Sequence, residues 1–322
     1  MSAEPQRWQA PPDRHLAPLR RSLAASESEH PVVVLGTFDG VHTGHRALIH
    51  HAVAVARELD RPWLPLAFFP PPKTLLAGQP FLSTETEKLV LLNEAGQAAG
   101  LPPAEVVIVP FDDAFAATPA LVFVRALARC EPSAIVVGED FRFGRRRDGT
   151  VRDLAAATER LAVLPLVAIG DEVVKSSAIR AALEAGEVER AAAMLGAPYR
   201  VIGTVREGDR RGRTIGVPTA NVALDPRKAL TTGVFVVRVD LPDGSRQGGM
   251  ANLGSRPSFD DPRAGLEVHV FDWEGDLYGA QIAVHVIARL RGQRRFADLE
   301  ALRQQLAADA AMARARLAPT AV

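Results

Sequence analysis

Two histidines three residues apart, His42 and His45, close the run Gly36-Thr37-Phe38-Asp39-Gly40-Val41-His42-Thr43-Gly44-His45. The run follows an apolar stretch, residues 31–35, and leads into residues 44–59, whose apolar spacing is helical. A strand-to-helix junction turns backbone N–H groups and the positive helix end toward one point, which favours a phosphate. Gly36 and Gly40 permit a tight turn, and Gly44 removes a side chain where a triphosphate must come close. On a helical start His42 and His45 present neighbouring imidazoles, donors able to stabilise charge on an α-phosphoryl group with no covalent intermediate. A pair of capping or metal-binding histidines is the structural alternative. His50 and His51 lack such a context and read as a solvated helix face.

Further polar clusters follow. Residues 137–144 contain Glu139, Asp140, Phe141, Arg142 and Phe143 between Gly138 and Gly144, ahead of Arg145, Arg146 and Arg147. Alternating rings and guanidiniums can hold an adenine and a phosphate tail, although an arginine run by itself is a solvated loop. Lys175, Ser176, Ser177 and Arg180 place hydroxyls and cations at a helix start, either a second phosphate clamp or an ordinary capped terminus. In residues 203–221, Gly212, Arg213 and Gly216 belong to a glycine- and arginine-rich segment that can drape its backbone over phosphates. It ends in Pro218-Thr219-Ala220-Asn221, where Thr219 and Asn221 offer two neutral oxygens on one side of an extended chain. Such oxygens suit a Mg²⁺ ion that completes its shell with phosphates and water; a surface hairpin with scattered cations is the plainer reading. In Leu266-Glu267-Val268-His269-Val270, apolar and polar residues alternate, which puts Glu267 on a polar strand face as a candidate proton acceptor.

The elements that must carry these residues fall into two halves, as a chain of 322 residues suggests. The first half alternates buried-strand runs (31–35, 64–69, 106–109, 134–137, 161–169) with helical stretches, the pattern of a doubly wound parallel α/β sheet. Residues 179–195 predict two alanine-rich helices split at Gly186. Short β runs at 199–205, 233–239, 248–252, 266–271 and 282–290 then predict an antiparallel barrel or sandwich. A closing helix over 296–317 presents Phe296, Leu299, Leu302 and Leu306. Lysines plus arginines and aspartates plus glutamates balance at 38 each, so the bulk field of a non-specific nucleic-acid binder is absent. Cys130 is the sole cysteine, which excludes an intrachain disulfide and suits a reducing compartment. No stretch approaches the roughly 18–20 apolar residues of a membrane span, and charges and prolines break the first thirty residues, unlike a signal peptide. A cytoplasmic protein is expected, with no nucleic-acid or membrane partner.

The strings LGTFDGVHTGH, GEDFRFG and SSAIR together resemble the FMN adenylyltransferase module of bacterial bifunctional riboflavin kinase/FAD synthetases, within the HxGH nucleotidyltransferases. GDRRGRTIGVPTANV, ANLGSRPSF, LEVHVFD, GDLYG and residues 290–296 resemble the riboflavin kinase module of the same enzymes. The resemblance implies that His42 and His45 contact the ATP phosphates and that Gly36, Phe38, Asp39 and Gly40 line the nucleotide pocket. Asp140 and Arg142 would assist there, with Ser176, Ser177 and Arg180 closing over the phosphates. In the second half it implies a six-stranded antiparallel barrel, Mg-ATP held at Thr219 and Asn221, and Glu267 as the base for the riboflavin 5′-hydroxyl. Gly212, Arg213, Gly216 and Arg291 would contribute to binding. The implied domains are 15–186 (adenylyl transfer) and 187–318 (kinase), with riboflavin, FMN and ATP as substrates and Mg²⁺ as cofactor. Oligomeric state is left open. Departures from the pattern are Pro71 in place of a histidine, Lys175 in place of a serine, Val217 in place of a phenylalanine, Phe235 in place of a tyrosine, and Gln293 in place of a glutamate. A kinase with a weakened or altered adenylyltransferase half, and a non-catalytic flavin-binding regulatory protein, are the two alternatives.

Overall fold

The computed structural model describes residues 30–207, 217–254 and 265–318. The chain forms two compact units, one from the segment ending at Gly78 together with Leu89–Val167, the other from Gln79–Lys88 together with Ala168 onward.

In the first unit, strands β1 (Val32–Leu35), β2 (Trp63–Phe69), β3 (Val107–Pro110) and β4 (Ala134–Gly138) pair in parallel. A small hairpin, β5 (Arg142–Phe143) and β6 (Gly149–Thr150), precedes the last strand, β7 (Leu161–Leu164). The sheet order is β3-β2-β1-β4-β7. A central parallel strand is covered on both faces, which is why β1 is the unbroken apolar run Val-Val-Val-Leu, every residue buried. Its side chains alternate between two cores: Val33 and Leu35 meet Phe115, Phe123 and Leu127, whereas Val32 and Val34 meet Ile49, Ala52 and Trp63. Helix α1 (Thr43–Leu59) covers the second core; α2 (Pro72–Ala77), α3 (Glu85–Ala98) and α4 (Asp113–Ala116) follow, and α5 (Ala120–Ala128) covers the first. The stretch 161–169, expected as one strand, is divided. Pro165 has no N–H for the ladder, so β7 stops at Leu164.

The second unit opens with the hairpin β8 (Ala168–Ile169) and β9 (Glu172–Val173), then helices α6 (Ser176–Ala185) and α7 (Val188–Leu195). Gly186 separates the helices as a left-handed C-cap with φ of 81°, a conformation costly for a residue bearing a Cβ. Strands β10 (Tyr199–Arg206), β11 (Ala220–Ala223), β12 (Gly233–Asp240), β13 (Arg246–Leu253), β14 (Gly265–Val270) and β15 (Gln281–Arg291) close a barrel in the order β10-β11-β14-β13-β12-β15. Closure leaves no sheet edge. Val201, Val222, Val237, Val268 and Val286 are among the fully buried residues of its strands. Strand β11, absent from the list of predicted β runs, supplies the sixth stave.

Helix α8 (Leu299–Leu317) keeps Leu306 of the expected stripe in contact with the barrel but buries later positions rather than Leu299. Leu299 is 52% exposed, while Asp309 and Ala313 are buried and Leu306, Ala310 and Leu317 pack on Val236, Met250 and Ala288. The helix is alanine-rich, so its grip depends on a polar contact: Arg291 donates to Asp309 through Nε (3.0 Å) and Nη2 (2.7 Å).

Candidate functional site

Parallel sheets offer a crevice where strand order reverses direction, outside the strand carboxyl ends. Here the reversal falls between β1 and β4, whose ends are paired at Leu35 and Val137. The predicted loop 36–42 leaves β1 at this edge, and Glu139, Asp140 and Arg142 follow β4. Glu139 ties its loop to the chain after β7, its Oε1 accepting from Leu166 N (3.0 Å).

The loop after β1 is a compressed coil. Phe38, Gly40 and Val41 all take positive φ (51°, 83° and 44°), and the Phe38 and Val41 side chains are fully buried. Positive φ is unfavourable for a β-branched residue, so the surrounding packing must hold Val41 there. A Cβ on Gly36 would stand 3.1 Å from the Phe38 ring, so glycine is what lets that ring fold beneath the loop. His42 is the N-cap of α1, and its Nδ1 accepts from His45 N at 3.4 Å. The two imidazoles stack with centroids 3.7 Å apart and planes inclined by 20°. A Cβ on Gly44 would press on the His42 ring at 3.2 Å. Burial pushes the His42 imidazole down to about 4, so it is neutral at pH 7. With Nδ1 occupied as an acceptor, the proton of the neutral ring sits on Nε2 and makes that atom a donor. His42, His45, Gly36, Phe38, Asp39 and Gly40 thus form one cluster, with Asp39 buried. Asp140 and Arg142 are exposed in the neighbouring loop, as are Arg145, Arg146 and Arg147; His50 and His51 are exposed on α1. Pro71 caps α2 just beyond β2 without a polar side chain. Lys175, Ser176, Ser177 and Arg180 open α6 in the second unit; Arg180 is buried and donates from Nη2 to Gln79 Oε1 at 3.3 Å. Cys130 hydrogen-bonds Ala126 O and its thiol is pushed up to about 11 by burial, so it stays protonated and inert.

On the barrel, register brings the other residues together. Asn221 lies directly opposite Glu267, which lies directly opposite Asn252. Directly opposed residues point to one face, so the three form a polar row across β11, β14 and β13. Leu266, Val268 and Val270 are buried, and Glu267 is exposed, as the alternation predicts. Asn252 donates from Nδ2 to Glu267 Oε2 (3.4 Å), and Gln293 Nε2 donates to Asn252 Oδ1 and to Leu253 O, both at 2.8 Å. A cavity of about 390 Å³ is lined by Pro218, Thr219, Ala220, Val268, Trp273 and Tyr278, among others. Ala220 and Val268 alternate with Asn221 and Glu267, so the row faces the other side of β11 and β14, and Thr219 is the proposed ligand that lines the cavity. Thr219 and Asn221 supply neutral oxygens; among the described residues no group of three acidic, histidine or cysteine side chains forms a metal site. That donor set fits a hard cation sharing its shell with phosphate oxygens, not a cage built by protein alone. Arg291 is bound to Asp309. Gly212, Arg213 and Gly216 lie outside the described residues. Sequence reasoning left Asn252, Gln293, His269 and Asp309 without roles, because cross-strand register and helix docking decide what they touch.

Known proteins carry both halves. Residues 24–178 match the FAD synthetase family and residues 195–317 the riboflavin kinase family. A bifunctional riboflavin kinase/FMN adenylyltransferase of Pseudomonas fluorescens is 36% identical over 94% of this chain and 99% of its own length. The Escherichia coli K12 protein of that name is 35% identical over 91% and 95%, and that of Bacillus subtilis 32% identical over 89% and 92%. A crystal structure of a macrolide-efflux protein from Streptococcus pneumoniae is 32% identical with a TM-score of 0.77, over 89% of this chain and 94% of that one. Among the described residues no helix is long and apolar enough to cross a membrane.

Proposed function

The chain belongs to the bifunctional riboflavin kinase/FMN adenylyltransferases, and on that footing we propose how its own residues carry the two transfers. The protein phosphorylates riboflavin to FMN and adenylylates FMN to FAD. The polar row Asn221–Glu267–Asn252, two residues along β11 from Thr219, is the observation that carries the kinase assignment. Glu267 accepts the proton of the riboflavin 5′-hydroxyl while that oxygen bonds to the γ-phosphorus of ATP and the bond to the β-phosphate oxygen breaks, leaving ADP. The cavity takes the nucleoside end of ATP. Thr219 and Asn221 would hold Mg²⁺, which would neutralise phosphate charge. Asn252 steadies one oxygen of Glu267.

In the first unit an FMN phosphate oxygen attacks the α-phosphorus of ATP and pyrophosphate leaves. His42 donates from Nε2 and His45 lies stacked against it, so both imidazoles meet the developing phosphoryl charge. The loops after β1 and β4, with Asp39, Asp140 and Arg142, frame the nucleotide.

Separate assays with Mg-ATP plus riboflavin and Mg-ATP plus FMN test the division. Glu267→Gln should lower FMN formation by about 10²–10⁴-fold, the span of a lost general base, and leave FAD formation from supplied FMN intact. His45→Ala should do the reverse. Loss of both activities in either variant, or full kinase activity in Glu267→Gln, defeats the assignment.

A further inference from the structure

We infer that His269 is a positioning residue for the kinase reaction: it fixes the Pro218 carbonyl and thereby sets Thr219 for its contact with Mg-ATP. The inference rests on the reading of Thr219 given above. The β11–β14 ladder has Ala220 opposite Val268 as its last pair on this side. One residue further the ladder would reach Thr219, and the residue before that, Pro218, has no N–H to give. Backbone pairing therefore ends where the proposed ligand begins, and something else must order residues 217–219.

His269 supplies it. Its Nδ1 lies 2.7 Å from Pro218 O, and since a carbonyl only accepts, Nδ1 carries the proton and donates. The ring is itself oriented by Phe271, edge-on with centroids 5.5 Å apart and planes at 76°. Arg314 stands over the Phe271 ring at 4.4 Å and pairs with Asp272, so the imidazole is backed by a packed stack. Val268 and Val270, either side of His269, line the cavity together with Pro218 and Thr219, whereas His269 does not. Its hydrogen bond to the Pro218 carbonyl ties it to that lining.

The geometry specifies its own test. In asparagine the amide nitrogen stands the same number of bonds from Cβ as Nδ1 does in histidine; in glutamine it stands one bond further. His269→Asn should keep the donation, and His269→Gln and His269→Leu should lose it. We expect KM for Mg-ATP in riboflavin phosphorylation to rise about tenfold in the Gln and Leu variants, the worth of one hydrogen bond, and to stay within about twofold of wild type in the Asn variant. KM for riboflavin, and FAD formation from supplied FMN, should stay at wild-type values in all three, which also reports that the variants fold. Equal effects in all three variants, or none in any, overturn the positioning role. Thr219→Ala separates the two readings: if it leaves KM for Mg-ATP unchanged, the assignment of Thr219 fails and this inference with it. If it raises that KM while His269→Leu does not, only the role of His269 fails.

Discussion

His42 shows how far a single residue can be read from sequence. Its spacing from His45 and its place before a helix were visible, and both pointed to phosphate. That Nδ1 is consumed in capping α1, and that burial keeps the ring neutral, came only from packing. The consequence for stability can be worked out. Unfolded, the imidazole protonates near 6.5; folded, it resists until about 4. Between those values the unfolded state binds the proton, so stability falls as pH falls, by on the order of 3 kcal/mol across the window. Calorimetric unfolding between pH 7 and 4.5 should therefore show a shallower pH dependence in His42→Asn, which keeps a capping side chain but cannot titrate. An identical slope in the variant would contradict a depressed imidazole. Glu267 is the opposite case: alternation alone put it on a polar face, and the barrel added its partners.

At the scale of elements, strands were legible wherever one apolar run filled one stave, and illegible where pairing made the strand. β11 spans only Ala220–Ala223, has a single buried residue, and exists because β10 and β14 flank it. Helix α8 is the clearest mismatch. Leucines at its start look like a docking stripe, yet the buried positions come later and centre on an aspartate. Its attachment should respond accordingly. Asp309→Ala strands the Arg291 guanidinium and is expected to cost about 3 kcal/mol, as for other broken, largely buried ion pairs. The measurement is the thermal midpoint of kinase activity, and a midpoint equal to wild type would show that α8 holds without the pair.

At the scale of the whole molecule, chain order and compact units do not coincide. Gln79–Lys88 lies early in the sequence yet belongs with the barrel. Phe81 exchanges backbone hydrogen bonds with Arg227 and Ala229, and Tyr199 donates to Leu82 O. At the centre of this seam Lys228 Nζ meets Glu87 Oε2 at 2.5 Å, both side chains 1% exposed, while Glu87 Oε1 accepts from Ile202 N. Removing one partner leaves a charge in a dry site, so Lys228→Met should lower the stability of the barrel unit by about 3–5 kcal/mol. Adding Glu87→Gln should restore part of it: the charge is gone and the amide oxygen still accepts from Ile202 N, while its NH2 faces the Thr84 N–H that donates to Oε2. Urea unfolding of the two variants decides the matter: a double variant no better than the single one would mean that the charge is not the issue.

The sequence by itself determined the chemistry on offer and the two fold classes, because strand-to-helix turns, apolar periodicity and glycine placement are local and written in neighbouring residues. It carried the paired histidines, the threonine and asparagine oxygens and the strand glutamate for the same reason. Only the tertiary structure decided which residues face one another. Asn221 meets Glu267 and Asn252 through cross-strand register, His269 reaches Pro218 past the end of a ladder, and Glu87 pairs with Lys228 across more than a hundred residues. Such contacts depend on how distant segments close a barrel, and no pattern within a single segment encodes them.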